Sequence, residues 1–204
     1  MGRGIFVIAL AASIVGCGGN QTLFVASDRP EELTVTINGS ESKSKLQTFH
    51  AYNDVKLTKG AEVIVTSGGT QIDKITLPPI EEGNYAMVFV SGAPGLKLVD
   101  YKSLAKIGKG SSPNDMKGLT GISPADIDIA PIDESKRWVS FDKRAVVAHP
   151  DAPMPVGGKV NQFTYEKFPI YRVERVPPGS DPFETIKVRV NTELGLGKMP
   201  GTTR

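Results

Sequence analysis

Period-two apolar patterning, dense turn chemistry and few long helical stretches predict a mainly β protein. The expected form is an antiparallel, sandwich-like N-terminal unit followed by a smaller antiparallel β unit. Glycine and proline supply 22 and 15 of the 204 residues, which breaks the chain often. The alternating runs of the first hundred residues mostly end at such breakers. Leu33-Thr34-Val35-Thr36-Ile37 alternates and stops at Asn38-Gly39, a favoured hairpin turn. Residues 61–66 (AEVIVT) form a second run, closed by Ser67-Gly68-Gly69. Residues 71–77 offer it a hairpin partner that Pro78-Pro79 ends, because proline lacks the N–H a ladder needs. Residues 46–57 alternate in part, through Phe49, Ala51 and Val55. Residues 85–90 (YAMVFV) are apolar almost throughout, the pattern of a strand buried on both faces.

The stretch Glu81-Glu82-Gly83-Asn84-Tyr85-Ala86-Met87-Val88 resembles the Gly-x-Tyr strand of transthyretin-like and immunoglobulin-like extracellular modules. The resemblance implies a sandwich and carries no function. Residues 103–135 differ in character, with the Gly-rich segment 106–113 and a Ser123-Pro124 pair suited to opening a short helical turn. A loop this long is either a functional loop or a junction between two β units, and the junction is the favoured reading. Apolar alternation then returns at 138–141, 145–148 and 163–176. It returns again at 185–190, where Ile186, Val188 and Val190 would share one face of a strand opposite Lys187 and Arg189. The expected organisation is therefore 1–16 signal, 17–22 tether, 23–102 sandwich-like domain, 103–135 junction, 136–192 second β unit and 193–204 tail.

The first residues bear on address. Arg3 precedes an apolar run over 5–15, and small Gly16 stands directly before Cys17, the order of an export signal and its cut. Ile14-Val15-Gly16-Cys17 resembles the lipobox of bacterial lipoproteins, which implies acylation of Cys17 as the first mature residue. The run is too short to span a bilayer, which needs about 20 residues. By the same resemblance, Gly18 rather than Asp after the lipidated cysteine favours the outer membrane in a diderm. Cys17 is the only cysteine, consistent with a thiol kept free for acylation. With Arg3 removed, the 24 basic side chains fall to 23 against 22 acidic ones. That balance, with export, excludes nucleic acid as the expected partner.

No complete catalytic or metal motif stands out. His50 and His149 are the only histidines, and each is separated in sequence from other ligand types. Asp126, Asp128 and Asp133-Glu134 lack the glycine and terminal glutamate of a calcium loop, and read as a solvated acidic loop. Gly108-Lys109-Gly110-Ser111 lacks the spacing of a phosphate loop. Neither metal nor cofactor is expected. Arg172 and Arg175, with Lys187 and Arg189 on the next strand, are read as one cationic hairpin face for an anionic envelope partner: protein, polysaccharide or lipid headgroup. The alternative for such a face is an edge guarded by charge. The function expected is non-catalytic binding or scaffolding at the cell envelope, with membrane attachment through Cys17. The alternative is an envelope-polymer hydrolase or transferase using the 103–135 loop or His149.

Overall fold

The structure, a computed structural model, describes residues 21–101, 124, 127–130, 137–142, 145–152 and 170–194. Residues 14–17 with Cys17, Lys109 and its loop, Asp126, Asp133, Glu134 and the tail beyond Leu194 lie outside the described residues. The protein is mainly β, with most strand pairs antiparallel and no closed barrel among the described residues.

Among the described residues, twelve strands form three four-stranded sheets, accompanied by one α-helix. The strands are β1 (Gln21–Ala26), β2 (Thr34–Ile37), β3 (Ser40–Glu41), β4 (Phe49–Val55), β5 (Ala61–Ser67) and β6 (Thr70–Leu77). They continue as β7 (Tyr85–Phe89), β8 (Leu96–Asp100), β9 (Asp128–Ala130), β10 (Trp138–Phe141), β11 (Val146–Ala148) and β12 (Ile170–Arg175). A 3-10 turn at Val90–Gly92 follows β7, and helix α1 spans Pro182–Leu194. The sheet orders are β3-β2-β5-β6, β10-β7-β1-β4 and β11-β12-β8-β9.

Alternation along the strands explains how these sheets stack. In β1, Leu23 and Val25 join a core with Val35, Val63, Val65, Ile75 and Leu77 of the first sheet. The intervening Phe24 and Ala26 join Leu96, Leu98 and Val173 of the third. β7 divides likewise, Ala86 and Val88 to one side and Met87 and Phe89 to the other. The expectation of a strand buried on both faces therefore holds for β7, and β1 shares the property. The outer face of the third sheet gives Val99 to a last core with Tyr101 and with Ile186 and Val190 of α1. The result is four layers, sheet on sheet on sheet on helix.

Several features depart from the sequence expectation, and β8 and β9 form where no strand was expected. Gln21 and Thr22, read as tether, begin the central strand β1 and are buried. Residues 185–190, read as a strand, are helical. Asp181 caps the helix, accepting the Glu184 N–H at 2.8 Å, and Pro182 supplies a pre-set first turn. Two strand pairs are parallel, β1 with β7 and β11 with β12. Strands beyond residue 136 build no sheet of their own among the described residues. Instead β10 extends the sheet of β7, while β11 and β12 extend that of β8.

Candidate functional site

Three polar clusters are candidates for a site. The most buried lies between the third sheet and α1. On β12, Arg172 and Glu174 flank Val173, so all that turns away from the inter-sheet core turns towards the helix. Both side chains are 0–1% exposed and form an ion pair with each other. Tyr101 Oη donates to Glu174 Oε1 at 2.6 Å, and Arg189 Nη1 of α1 donates to Glu174 Oε2 at 2.9 Å. Arg172 Nη1 reaches Glu193 Oε2 at 2.8 Å and the Ala152 carbonyl at 3.0 Å. Arg189 also donates to the Pro150 carbonyl and, through Nε, to Glu193 at 2.9 Å. Burial pushes the Tyr101 hydroxyl well above the ordinary phenol range, and the Glu174 charge adds to it. For Arg172, burial pulls the guanidinium down, but Glu193 and Glu174 outweigh it and leave the group raised. Only Arg172 Nη2 in this cluster is buried without a partner. The cluster acts as a polar rivet between sheet and helix.

The second cluster surrounds Asp73 on β6. Arg137 Nη1 meets both carboxylate oxygens at 2.8 Å. The Lys74 and Ser91 N–H groups donate to the same carboxylate. Ser91 and Arg137 both hold positive φ, 49° and 55°. The carboxylate thus ties the 3-10 turn and the entry of β10 to β6, and its oxygens are fully used.

The third is a surface cleft of about 260 Å³ lined by Glu32, Lys45, Gln47, Thr48, Phe49, His50, His149 and Asp151. It brings together both histidines of the chain, 99 positions apart in sequence. β4 delivers Phe49 and His50, and the exit of β11 delivers His149. The His149 ring stands edge-on to Phe49 at 5.5 Å, and His50 packs on Tyr52 at 4.5 Å. From the end of β12, Arg175 reaches across to Thr48 Oγ1 at 3.1 Å and to Asp151 at 3.7 Å. Burial lowers the pKa of both histidines; for His149, Asp151 opposes this and Arg175 adds to it. Both rings are thereby biased towards the neutral form. The Asp151 backbone N–H donates to His149 Nδ1 at 3.0 Å, which leaves Nε2 carrying the ring proton.

The expected cationic face is not assembled. Arg172 is buried, and Lys187 and Arg189 stand on a helix, not on a paired strand. Lys187 pairs with Glu184 at 3.1 Å and lies over the Phe183 ring. Of the four, only Arg175 borders the cleft. Asp128 lies in β9, opposite Asp100 of β8. Among the described residues, no group of three or more His, Cys, Asp or Glu side chains is placed to hold a metal ion, and no helix is long and apolar enough to cross a membrane. The pairing of the two histidines left no trace in sequence, since neither lies near the other or near a shared motif. The rivet did leave one: Arg-x-Glu on a strand and Arg189 four before Glu193 on a helix are complementary spacings. No protein-family model matches the chain, and no curated protein or solved structure matches it significantly.

Proposed function

We propose that the protein is a lipid-anchored component of a bacterial cell envelope that binds a polar envelope ligand at the His50/His149 cleft without transforming it. The anchor rests on the sequence: Arg3, the apolar run and Ile14-Val15-Gly16-Cys17. The choice of binding over catalysis rests on one observation, the hydrogen bond from the Asp151 N–H to His149 Nδ1. A histidine acting as general base towards a hydroxyl nucleophile needs Nδ1–H held by a carboxylate and Nε2 free to accept. Here Nδ1 accepts the Asp151 backbone N–H at 3.0 Å while the Asp151 carboxylate stands off at 3.6 Å, beyond hydrogen-bond reach, so His149 offers a donor at Nε2. Thr48, the one hydroxyl side chain lining the cleft among the described residues, accepts from Arg175. Lysine, imidazole and carboxylate around the single Phe49 ring suit a polar ligand held by several hydrogen bonds.

The test incubates the full-length, lipidated protein with purified envelope polymer and reads co-sedimentation and product release in parallel. Co-sedimentation that weakens in Lys45→Ala and His149→Ala, with no product above a protein-free blank, is expected. Product release that stops in His149→Ala would establish catalysis instead. Intact mass and membrane fractionation of wild type beside Cys17→Ser test the anchor separately.

A further inference from the structure

We infer that the end of the molecule where β1 begins is apposed to the lipid headgroup layer, so that the His50/His149 cleft opens on the far side, away from the bilayer. This rests on the proposed acylation of Cys17, and it adds an orientation that acylation alone does not supply.

The tether is short. Cys17 stands four residues before Gln21, a reach of at most about 14 Å for an extended chain. A tether of that length keeps Gln21 within the same distance of the acyl chains, and Gln21 is fixed to the body. Its side chain is buried, donates through Nε2 to the carbonyls of Glu81 (2.9 Å) and Asn84 (2.8 Å), and accepts the Leu57 N–H at 3.0 Å through Oε1. One side chain thus joins the chain entry to two loops, 56–60 and 78–84. Those loops form the end of the molecule nearest the acyl chains.

From there β1 travels about 17 Å, at the rise of an extended strand, to Ala26. The parallel strand β7 runs alongside, pairing Leu23 with Ala86 and Ala26 with Phe89. β4 returns antiparallel, with Ala26 opposite Phe49. Just past Ala26, the Ser27 N–H donates to the Thr48 carbonyl at 2.8 Å, and Thr48, Phe49 and His50 open the cleft. The central sheet therefore puts tether and cleft at opposite ends of the same strands.

Charge does not add to this placement. The exposed residues of the near loops include Lys56 and Lys59 on one and Glu81 and Glu82 on the other, which cancel. The apposed surface is thus expected to sit equally well on zwitterionic and anionic headgroups, held by the tether rather than by attraction.

The experiment uses full-length lipidated protein in zwitterionic phospholipid vesicles containing a lipid with a nitroxide on its headgroup. Single cysteines at Thr58→Cys, in a near loop, or Gln47→Cys, in the cleft, carry a fluorophore. Loss of fluorescence at position 58 with none at position 47 is expected, unchanged when anionic lipid is added. Equal loss at both positions, or greater loss at 47, overturns the orientation while leaving the anchor standing. Quenching at neither position, in protein whose intact mass lacks the lipid, overturns the anchor instead. A flexible Gly/Ser insert of about twenty residues between Asn20 and Gln21 gives the tether a typical reach of about 25 Å. It is expected to abolish the contrast between the two positions with lipidation intact. Persistence of the full contrast in that variant would overturn the tether as its cause.

Discussion

Glu174 is held by three side chains of the rivet: Arg172, Arg189 and Tyr101. Removing it leaves Arg172 buried with Glu193, the Ala152 carbonyl and the face of the Tyr101 ring, but without its nearest carboxylate. Breaking a buried ion pair from one side typically costs about 3–5 kcal/mol. Glu174→Ala is therefore expected to lower stability by about that amount in urea unfolding. Lys187→Ala, which removes an exposed pair with Glu184, should change it by less than about 1 kcal/mol. The histidines predict a pH response. Both have folded-state values held below the ordinary 6.5 by burial, so the unfolded chain binds protons first as pH falls. Their contribution is complete above pH 6.5 and is lost as pH drops from there through the lowered values. The urea midpoint should fall between pH 7.5 and pH 5, and the His50→Gln/His149→Gln double variant should fall less. An identical decline in that variant would assign the effect to carboxylates.

Among the elements, α1 is where strand and helix predictions separate most cleanly. Ile186, Val188 and Val190 alternate, and β-branched residues at period two read as a strand. Yet Ile186 and Val190 are also four apart, the spacing of one helical face, with Phe183 three before Ile186. Ile186 is 1% exposed and Val190 0%, while Val188 is 64% exposed. Ile186→Ala is expected to cost about 2–5 kcal/mol, and Val188→Ala less than about 0.5 kcal/mol. A strand would make the two positions equivalent. The signal for a helix was present in Asp181-Pro182-Phe183-Glu184, a cap, a first-turn proline and an acidic third position. Asp181→Ala should cost about 1 kcal/mol by removing the acceptor of the Glu184 N–H. At other elements the local signals were sufficient, though not at β8 or β9. The 61–66 and 71–77 runs appear as the β5–β6 hairpin, and Trp138–Phe141 is a strand at the expected residues.

At the scale of the molecule, the sheets interleave the two halves of the chain. β7 lies between β1 and β10, and β8 between β12 and β9. A chain ending at residue 102 would lose β9 to β12 and α1. It would leave β8 unpaired and expose the core around Phe89, Leu96 and Leu98. Such a chain is expected to aggregate or remain unfolded by circular dichroism and gel filtration. A monomeric, cooperatively unfolding 1–102 fragment would instead establish that the N-terminal part folds on its own.

Sequence alone determined the mainly β class and most strand positions, because period-two alternation and Gly, Pro and Asn-Gly breakers act over a few residues. It also carries the whole case for acylation at Cys17, since a signal is read as a linear string. Tertiary structure decided what alternation leaves ambiguous. Which face of β12 is buried depends on α1 packing there, so Arg172 reads as a surface cation until Glu174, Glu193 and Tyr101 surround it. The meeting of His50 with His149 depends on β4 and β11 ending at one corner of separate sheets. No local rule links residues so far apart in sequence, and the free energy that joins them is the burial of the layers between.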